Sequence, residues 1–203
     1  MGKTFLTSRV VDHIQKTLVT IPNHEGFAFF YCNHSDHLTT QPLSVAHSYI
    51  RQLSTTAQSE RGYIQASLQE TYDQSRSKGA HLDRATCKKL LLDSLNLYPR
   101  TTLVLDALDE CEPRTRGILI DLFEDLLCNS TRPVKIFIAS RPDGDIRRHF
   151  RFHSSIEIQS NDNHKDIENY IRQKLPQLAE ENNELRDLQP LITSKLLELC
   201  QGM

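Results

Sequence analysis

The sequence has no run of about 18 apolar residues, the length a membrane span needs, and its first twenty residues alternate apolar and polar without a signal-peptide core. Its five cysteines (Cys32, Cys87, Cys111, Cys128 and Cys200) are odd in number and scattered, with no C-x-x-C pair. That excludes a disulfide framework and suits free thiols in a reducing compartment. There is little net charge, -2 at pH 7, and so no electrostatic reason to expect nucleic acid as a main partner. Internal repeats and low-complexity stretches are missing too. These absences together describe a cytoplasmic protein with neither a membrane nor a nucleic acid among its partners. What is there, 203 residues with 38% hydrophobic content, suffices for one core and predicts a single domain over 1–203.

The most informative stretch is Thr102-Leu103-Val104-Leu105-Asp106-Ala107-Leu108-Asp109-Glu110-Cys111. Tyr98-Pro99-Arg100 breaks the helical pattern before it, and Glu112-Pro113 stops it behind. A short apolar run bounded this way reads as a buried parallel strand with its acids at the carboxyl end. That end of a parallel sheet is where open α/β folds bind ligands. About a hundred residues earlier, Gly2-Lys3-Thr4 matches the closing half of the phosphate loop G-x-x-x-x-G-K-[ST] and is followed by an amphipathic segment. In that loop backbone amides cradle phosphates, the lysine reaches the outer ones and the hydroxyl binds magnesium.

Between and beyond these motifs, strands alternate with helices. Leu6, Val10, Val11, Ile14 and Leu18 share a helical face. Phe27 to Cys32 reads as a buried strand and Asn33 to Pro42 as a polar loop. Three helices follow, over 43–53, 64–75 and from an N-cap at Asp83 to about Leu97, forming a helical insertion over about 43–98. A strongly amphipathic helix carries Ile118, Leu119, Leu122, Phe123, Leu126 and Leu127; Val134 to Ala139 is another strand, closed by Ser140-Arg141-Pro142. Ser154 to Ile158 reads as a short strand, Asn161-Asp162-Asn163 as a capping cluster for a helix from Asp166 stopped by Pro176, and Leu188 to Cys200 as the last helix. The alternation implies an α/β fold of three layers around a mostly parallel sheet.

The acids and bases suggest roles. Asp106, at a strand end, suits magnesium, with Thr4 as a second metal ligand and Lys3 facing the outer phosphates. Hydrolysis requires a carboxylate that orients or deprotonates water. Position 107 is alanine, which leaves Glu110, then Asp109, as the nearest choices. Arg141, directly after a strand, can contact a terminal phosphate. Cys32, His34 and His37 form a C-x-H-x-x-H cluster, but no fourth zinc ligand is evident and a polar loop is the simpler reading. The basic segment Arg147, Arg148, His149 and Arg151 reads as a solvated face.

These three stretches, Gly2-Lys3-Thr4, the acidic strand and Lys135-Ile136-Phe137-Ile138-Ala139-Ser140-Arg141-Pro142, resemble the NACHT-type P-loop NTPases of the STAND class. The nearest likeness is to the nephrocystin-3-like N-terminal module of fungal HET-E-like proteins. Ala107 with Asp109-Glu110 is similar to that family's small residue after the magnesium aspartate and its acidic pair beyond. The resemblance implies a P-loop NTPase fold and a signalling switch that uses magnesium with ATP or GTP. It also implies a terminal-phosphate contact for Arg141, and protein partners or self-oligomers reached through effector and repeat domains of a larger parent.

In the fold the resemblance implies, the strand and first half of the phosphate loop ahead of Gly2 are missing, so the domain is expected to be incomplete. Nucleotide binding by this chain alone is then expected to be weak, since several amides of the phosphate cradle are lost. The competing reading is a non-catalytic scaffold derived from an NTPase. A nucleotide kinase fits less well, because of the acidic pair and the lack of an arginine-rich lid.

Overall fold

In the computed structural model, residues 2–20, 25–36, 38–54, 68–71, 73, 82–158, 164–181 and 183–199 are described. The chain divides into two compact units, Met1–His149 and Phe150–Met203.

The first unit is an α/β arrangement around three strands, β1 (Gly26–Tyr31), β2 (Thr101–Asp106) and β3 (Val134–Ile138), hydrogen-bonded in that order and all parallel. Phe27 sits opposite Thr102 and Tyr31 opposite Asp106, while Thr102 pairs with Lys135 and Leu105 with Ile138. In β2, Leu103, Val104 and Leu105 are fully buried, as expected for the central strand of a parallel sheet. Parallel pairing requires a long crossover between strands, and helices supply them. α2 (Pro42–Leu53) and α3 (Arg84–Asn96) lie between β1 and β2, and α4 (Pro113–Asn129) lies between β2 and β3. All three begin with residue types suited to a helix entry. Pro42 and Pro113 occupy first-turn positions where a missing N–H costs nothing, and Asp83 caps α3 by accepting from the Thr86 N–H at 2.8 Å.

The insertion covers the sheet. α2 packs on β1 through Val45, Ala46, Tyr49, Ile50 and Leu53, and α2, α3 and α4 pack on one another. Leu43, expected on that stripe, is instead 37% exposed. The Tyr49 hydroxyl is fully enclosed and donates to the Val104 carbonyl at 2.9 Å, fixing the helix layer to the central strand. Gln52 does something different at the edge. Its side-chain amide accepts from the Phe29 N–H at 3.1 Å and donates to the Phe29 carbonyl at 2.8 Å, so it occupies both backbone groups of one β1 residue. Near the amino end of the sheet, Gly26 meets Thr101 and Tyr98 so closely that an added Cβ would lie 2.5 Å from the Thr101 Oγ1. Only glycine fits there.

α1 (Gly2–Thr20) packs along β2. Thr102 and Asp106 share one face by the two-residue repeat of a strand. α1 covers that face, with Val11 buried and Thr7 reaching Asp106. α5 (Gly144–His149) closes the unit.

The second unit consists of α6 (His164–Glu181) and α7 (Asn183–Leu199), packed on each other. Here the structure corrects two expectations. Ser154–Ile158 forms no strand of the described sheet and is exposed throughout, with Ile156 94% exposed; an alternating pattern becomes a strand only where a sheet takes it up. Pro176 does not stop α6, which continues to Glu181, because the pairing with α7 outweighs a local breaker. Asn161-Asp162-Asn163, His37, Cys200 and most of the proposed 64–75 helix lie outside the described residues. No helix among the described residues is long and apolar enough to cross a membrane.

Candidate functional site

The carboxyl ends of β2 and β3 and the start of α1 bring the chemistry together. Asp106 ends β2 at 1% exposure, and a carboxylate buried so deeply needs a donor. That donor is Thr7, itself 0% exposed, whose hydroxyl lies 2.6 Å from the Asp106 Oδ1. The same hydroxyl is 3.1 Å from the Lys3 carbonyl. One proton serves one strong bond, and the shorter, charge-assisted contact to the carboxylate takes it. Thr4, expected as the second metal ligand, is solvent-exposed at the first turn of α1. The hydroxyl on Asp106 is thus one helical turn further along, at Thr7.

Directly after Asp106 the chain turns sharply. Ala107 has φ 57° and ψ 48°, and it is the only non-glycine residue with positive φ among those described. This left-handed conformation is strained for a side chain with a Cβ, and more so for bulky or branched ones. It throws the chain into a single 3₁₀ turn, Leu108–Glu110, which Leu108 anchors by donating its N–H to the Ala139 carbonyl at 3.1 Å. The turn explains why a small residue stands between the aspartate and the acidic pair.

The pair then diverges. The Asp109 carboxylate, 12% exposed, accepts the Arg141 N–H at 2.8 Å and the Ser140 hydroxyl at 3.2 Å, and pairs with the Arg141 Nε at 3.4 Å. It therefore holds the loop after β3. The guanidinium of Arg141 is 75% exposed, available to a ligand from solvent. Glu110 turns to the other side and accepts the backbone N–H of His34 at 2.5 Å. The His34 loop is stiffened by its own side chains. Thr39 accepts the Asn33 N–H at 3.0 Å and Asn33 accepts the Ser35 N–H at 3.0 Å.

Lys3 faces this group of charges. Burial pushes its ammonium below the ordinary lysine value, and Arg141 pushes the same way, against the opposing pull of Asp109, Asp143 and Asp106. A cation held close to a second cation and partly desolvated is the electrostatic situation that an anionic ligand relieves.

Residues 1–141 match the family model described as "Nephrocystin 3, N-terminal", a span that runs from the start of α1 through Arg141. The chain belongs to the nephrocystin 3 N-terminal family. Searches of curated proteins and of solved structures returned no match. In this nephrocystin 3 N-terminal chain the matched span contains every candidate named from the sequence: Gly2, Lys3, Thr4, Asp106, Asp109, Glu110 and Arg141.

Sequence reasoning passed over the residue that binds these loops together. Arg116, on the first turns of α4, is 4% exposed. Its guanidinium donates to both Asp145 oxygens at 2.7 and 2.8 Å, to Asp143 at 3.3 Å, and to the Asp109 and Cys111 carbonyls at 3.0 Å each. One side chain thus joins the 3₁₀ turn, α4 and the loop carrying Arg141. Burial pushes the Asp145 carboxyl up, but the hydrogen bonds and charge of Arg116 outweigh it and hold that carboxyl below its ordinary value. A signal existed: Arg116 shares the helical stripe of Leu119, Ile120 and Phe123, and an arginine on a buried stripe must have partners. Thr7, four residues after Lys3 on the same helix face, was similarly findable.

Among the described residues no three His, Cys, Asp or Glu side chains gather as a metal site. The arrangement that fits a metal is sparser and harder: the Asp106 carboxylate with a threonine hydroxyl beside it. Such oxygen donors suit a magnesium ion that takes its remaining ligands from phosphate and water.

Proposed function

We propose that this chain is the core of a nucleotide-dependent signalling switch, in which magnesium with ATP or GTP binds where α1, the end of β2 and the loop after β3 meet. The observation that carries this reading is the convergence of Lys3, the Thr7–Asp106 pair and Arg141 at the carboxyl ends of parallel strands. Open α/β sheets bind ligands at that end. The free N–H groups of the first turn of α1, which contains no acidic residue to compete, favour an anion.

The residues then take distinct roles. Gly2 and Lys3 face the phosphates, and Asp106 with the hydroxyls of Thr4 or Thr7 holds the metal. Arg141 reaches the terminal phosphate, positioned by Asp109. Glu110 is the water-activating carboxylate; its hydrogen bond with the His34 N–H uses one oxygen and leaves the other to orient a water. The bound metal–nucleotide supplies the electrophilic phosphorus and the charge that both cations answer. Toggling between nucleotide states would change the hold on Arg141 and, through Arg116, on α4. That is a route from the site to an oligomerising surface in the cytoplasmic parent, as in STAND-type proteins.

The test is magnesium-dependent ATP and GTP binding and turnover, measured with this chain in its full-length protein. Binding and turnover, with turnover lost in Asp106→Ala, are the expected results. Turnover unchanged by that substitution, or no binding of either nucleotide, overturns the proposal.

A further inference from the structure

Cys32 and Cys111 have no part in the chemistry above, yet the fold sets them face to face. Cys32 immediately follows β1, and its N–H extends the ladder by donating to the Asp106 carbonyl at 3.1 Å. Cys111 immediately follows the 3₁₀ turn that Ala107 starts, so the chain doubles back across the end of β1. The two sulfurs lie 3.6 Å apart. A disulfide needs about 2.05 Å, so side-chain rotation closing roughly 1.5 Å completes the bond. The hydrogen bond between the two sulfurs, helped by the charge of Arg116, which donates to the Cys111 carbonyl at 3.0 Å, draws the Cys111 thiol below its ordinary value against burial. Cys32 is 6% exposed, where the exposed Asn33–Asp36 loop begins. Cys111 is buried at 2% exposure as well, which closes the pair to a protein thiol and leaves a small oxidant such as peroxide as the species able to reach it.

We propose that Cys32 and Cys111 form a reversible disulfide on exposure to hydrogen peroxide, and that this bond is a redox lock on the site. The Cys111 sulfur attacks one peroxide oxygen and the O–O bond breaks, releasing water and leaving a sulfenic acid. The Cys32 sulfur then attacks the Cys111 sulfur, and the S–O bond breaks to release the second water. Two thiols are oxidised by two electrons and one peroxide is reduced. The bond brackets the Glu110–His34 contact on both sides, because Cys111 follows Glu110 and Cys32 lies two residues before His34. In the oxidised form the bond fixes the two segments that carry Glu110 and His34, so the carboxylate loses the freedom to follow an attacking water. This last consequence rests on the nucleotide reading above; the disulfide does not.

Peptide mapping of the intact chain, with free thiols alkylated before and after hydrogen peroxide, tests the bond. The expected product is a linked Cys32–Cys111 peptide pair that dithiothreitol separates. It persists in Cys128→Ser, which removes a solvent-exposed thiol, and is lost in both Cys32→Ala and Cys111→Ala. Oxidation found only at Cys128, with Cys32 and Cys111 still alkylated after peroxide, overturns the proposal, and that result needs no variant to fold. Turnover compared in reduced and oxidised protein tests the lock. A fall of tenfold or more on oxidation, reversed by reduction, is expected. Equal turnover in both forms overturns the lock, whereas a mapped disulfide in a protein with no turnover in either form overturns the nucleotide reading and leaves the disulfide standing.

Discussion

The hydroxyl of Thr7 lies 2.6 Å from the carboxylate of Asp106, with both side chains closed off from solvent. This bond joins helix α1 to the central strand across ninety-nine residues of chain. Thr7→Val keeps the shape and removes the donor, leaving a buried carboxylate short of a partner. Stability should fall by about 1–3 kcal/mol, the usual cost of an unsatisfied buried group. Urea titration of Thr7→Val beside Thr7→Ser, which restores the donor and recovers most of the loss, measures it.

Arg116 makes the acid limb of stability predictable in sign. The Asp145 carboxyl titrates below its ordinary value in the fold because of Arg116, with burial opposing. Its contribution is therefore complete above the unfolded value of about 4 and is lost as pH falls through the lower folded value. Arg116→Lys cannot serve five acceptors, so its unfolding midpoint should vary less with pH below that range than the native protein's. Arg116→Ala leaves the Asp109 and Cys111 carbonyls without their donor and two half-exposed aspartates without their cation, and should cost about 1–3 kcal/mol at neutral pH. Thermal denaturation between pH 3 and pH 7 compares the three.

The two acids of the 3₁₀ turn should separate in kinetics. Glu110→Gln keeps an acceptor for the His34 N–H and removes the base, so turnover should drop roughly 10²- to 10⁴-fold with nucleotide affinity little changed. Asp109→Asn releases the loop that carries Arg141, and it should raise KM along with lowering kcat. A KM effect confined to Glu110→Gln would reverse these assignments.

Ala107 is the most sterically demanding position in the site. A β-branched residue in its left-handed conformation costs about 1–2 kcal/mol on backbone grounds alone. Ala107→Val should therefore lower stability by at least that much, while Ala107→Gly should stay near the native value, relief of strain offsetting the added freedom of the unfolded chain. Equilibrium unfolding of the pair decides it.

Much of the fold was legible because buried parallel strands read as unbroken apolar runs. β1, β2 and β3 were found that way, and Asp83 announced its helix through cap chemistry. The acid positions were also visible, since carboxylates after an apolar strand have few innocent explanations. What stayed hidden depended on partners far away in sequence. Helical position flags Thr7 and Arg116 themselves, but nothing near them names Asp106, or Asp143 and Asp145, as their partners. The division of labour between Asp109 and Glu110 was likewise invisible, because the left-handed turn at Ala107 aims adjacent side chains at different loops. The Ser154–Ile158 segment misled for the opposite reason: its local pattern was right for a strand, and joining a sheet is not a local property.

The amide of Gln52 has a consequence beyond covering β1. A primary amide carries no charge and does not titrate at any ordinary pH, so neither acid nor salt loosens its hold on Phe29. Three side-chain ties at the carboxyl ends of the strands, Thr7–Asp106, Arg116–Asp145 and Asp109–Arg141, each include a charged partner. The sheet is thereby insulated from its surroundings while the loops above it are not. A shift in acidity or ionic strength will be felt first as a change in how those loops are held, on a scaffold that does not register it.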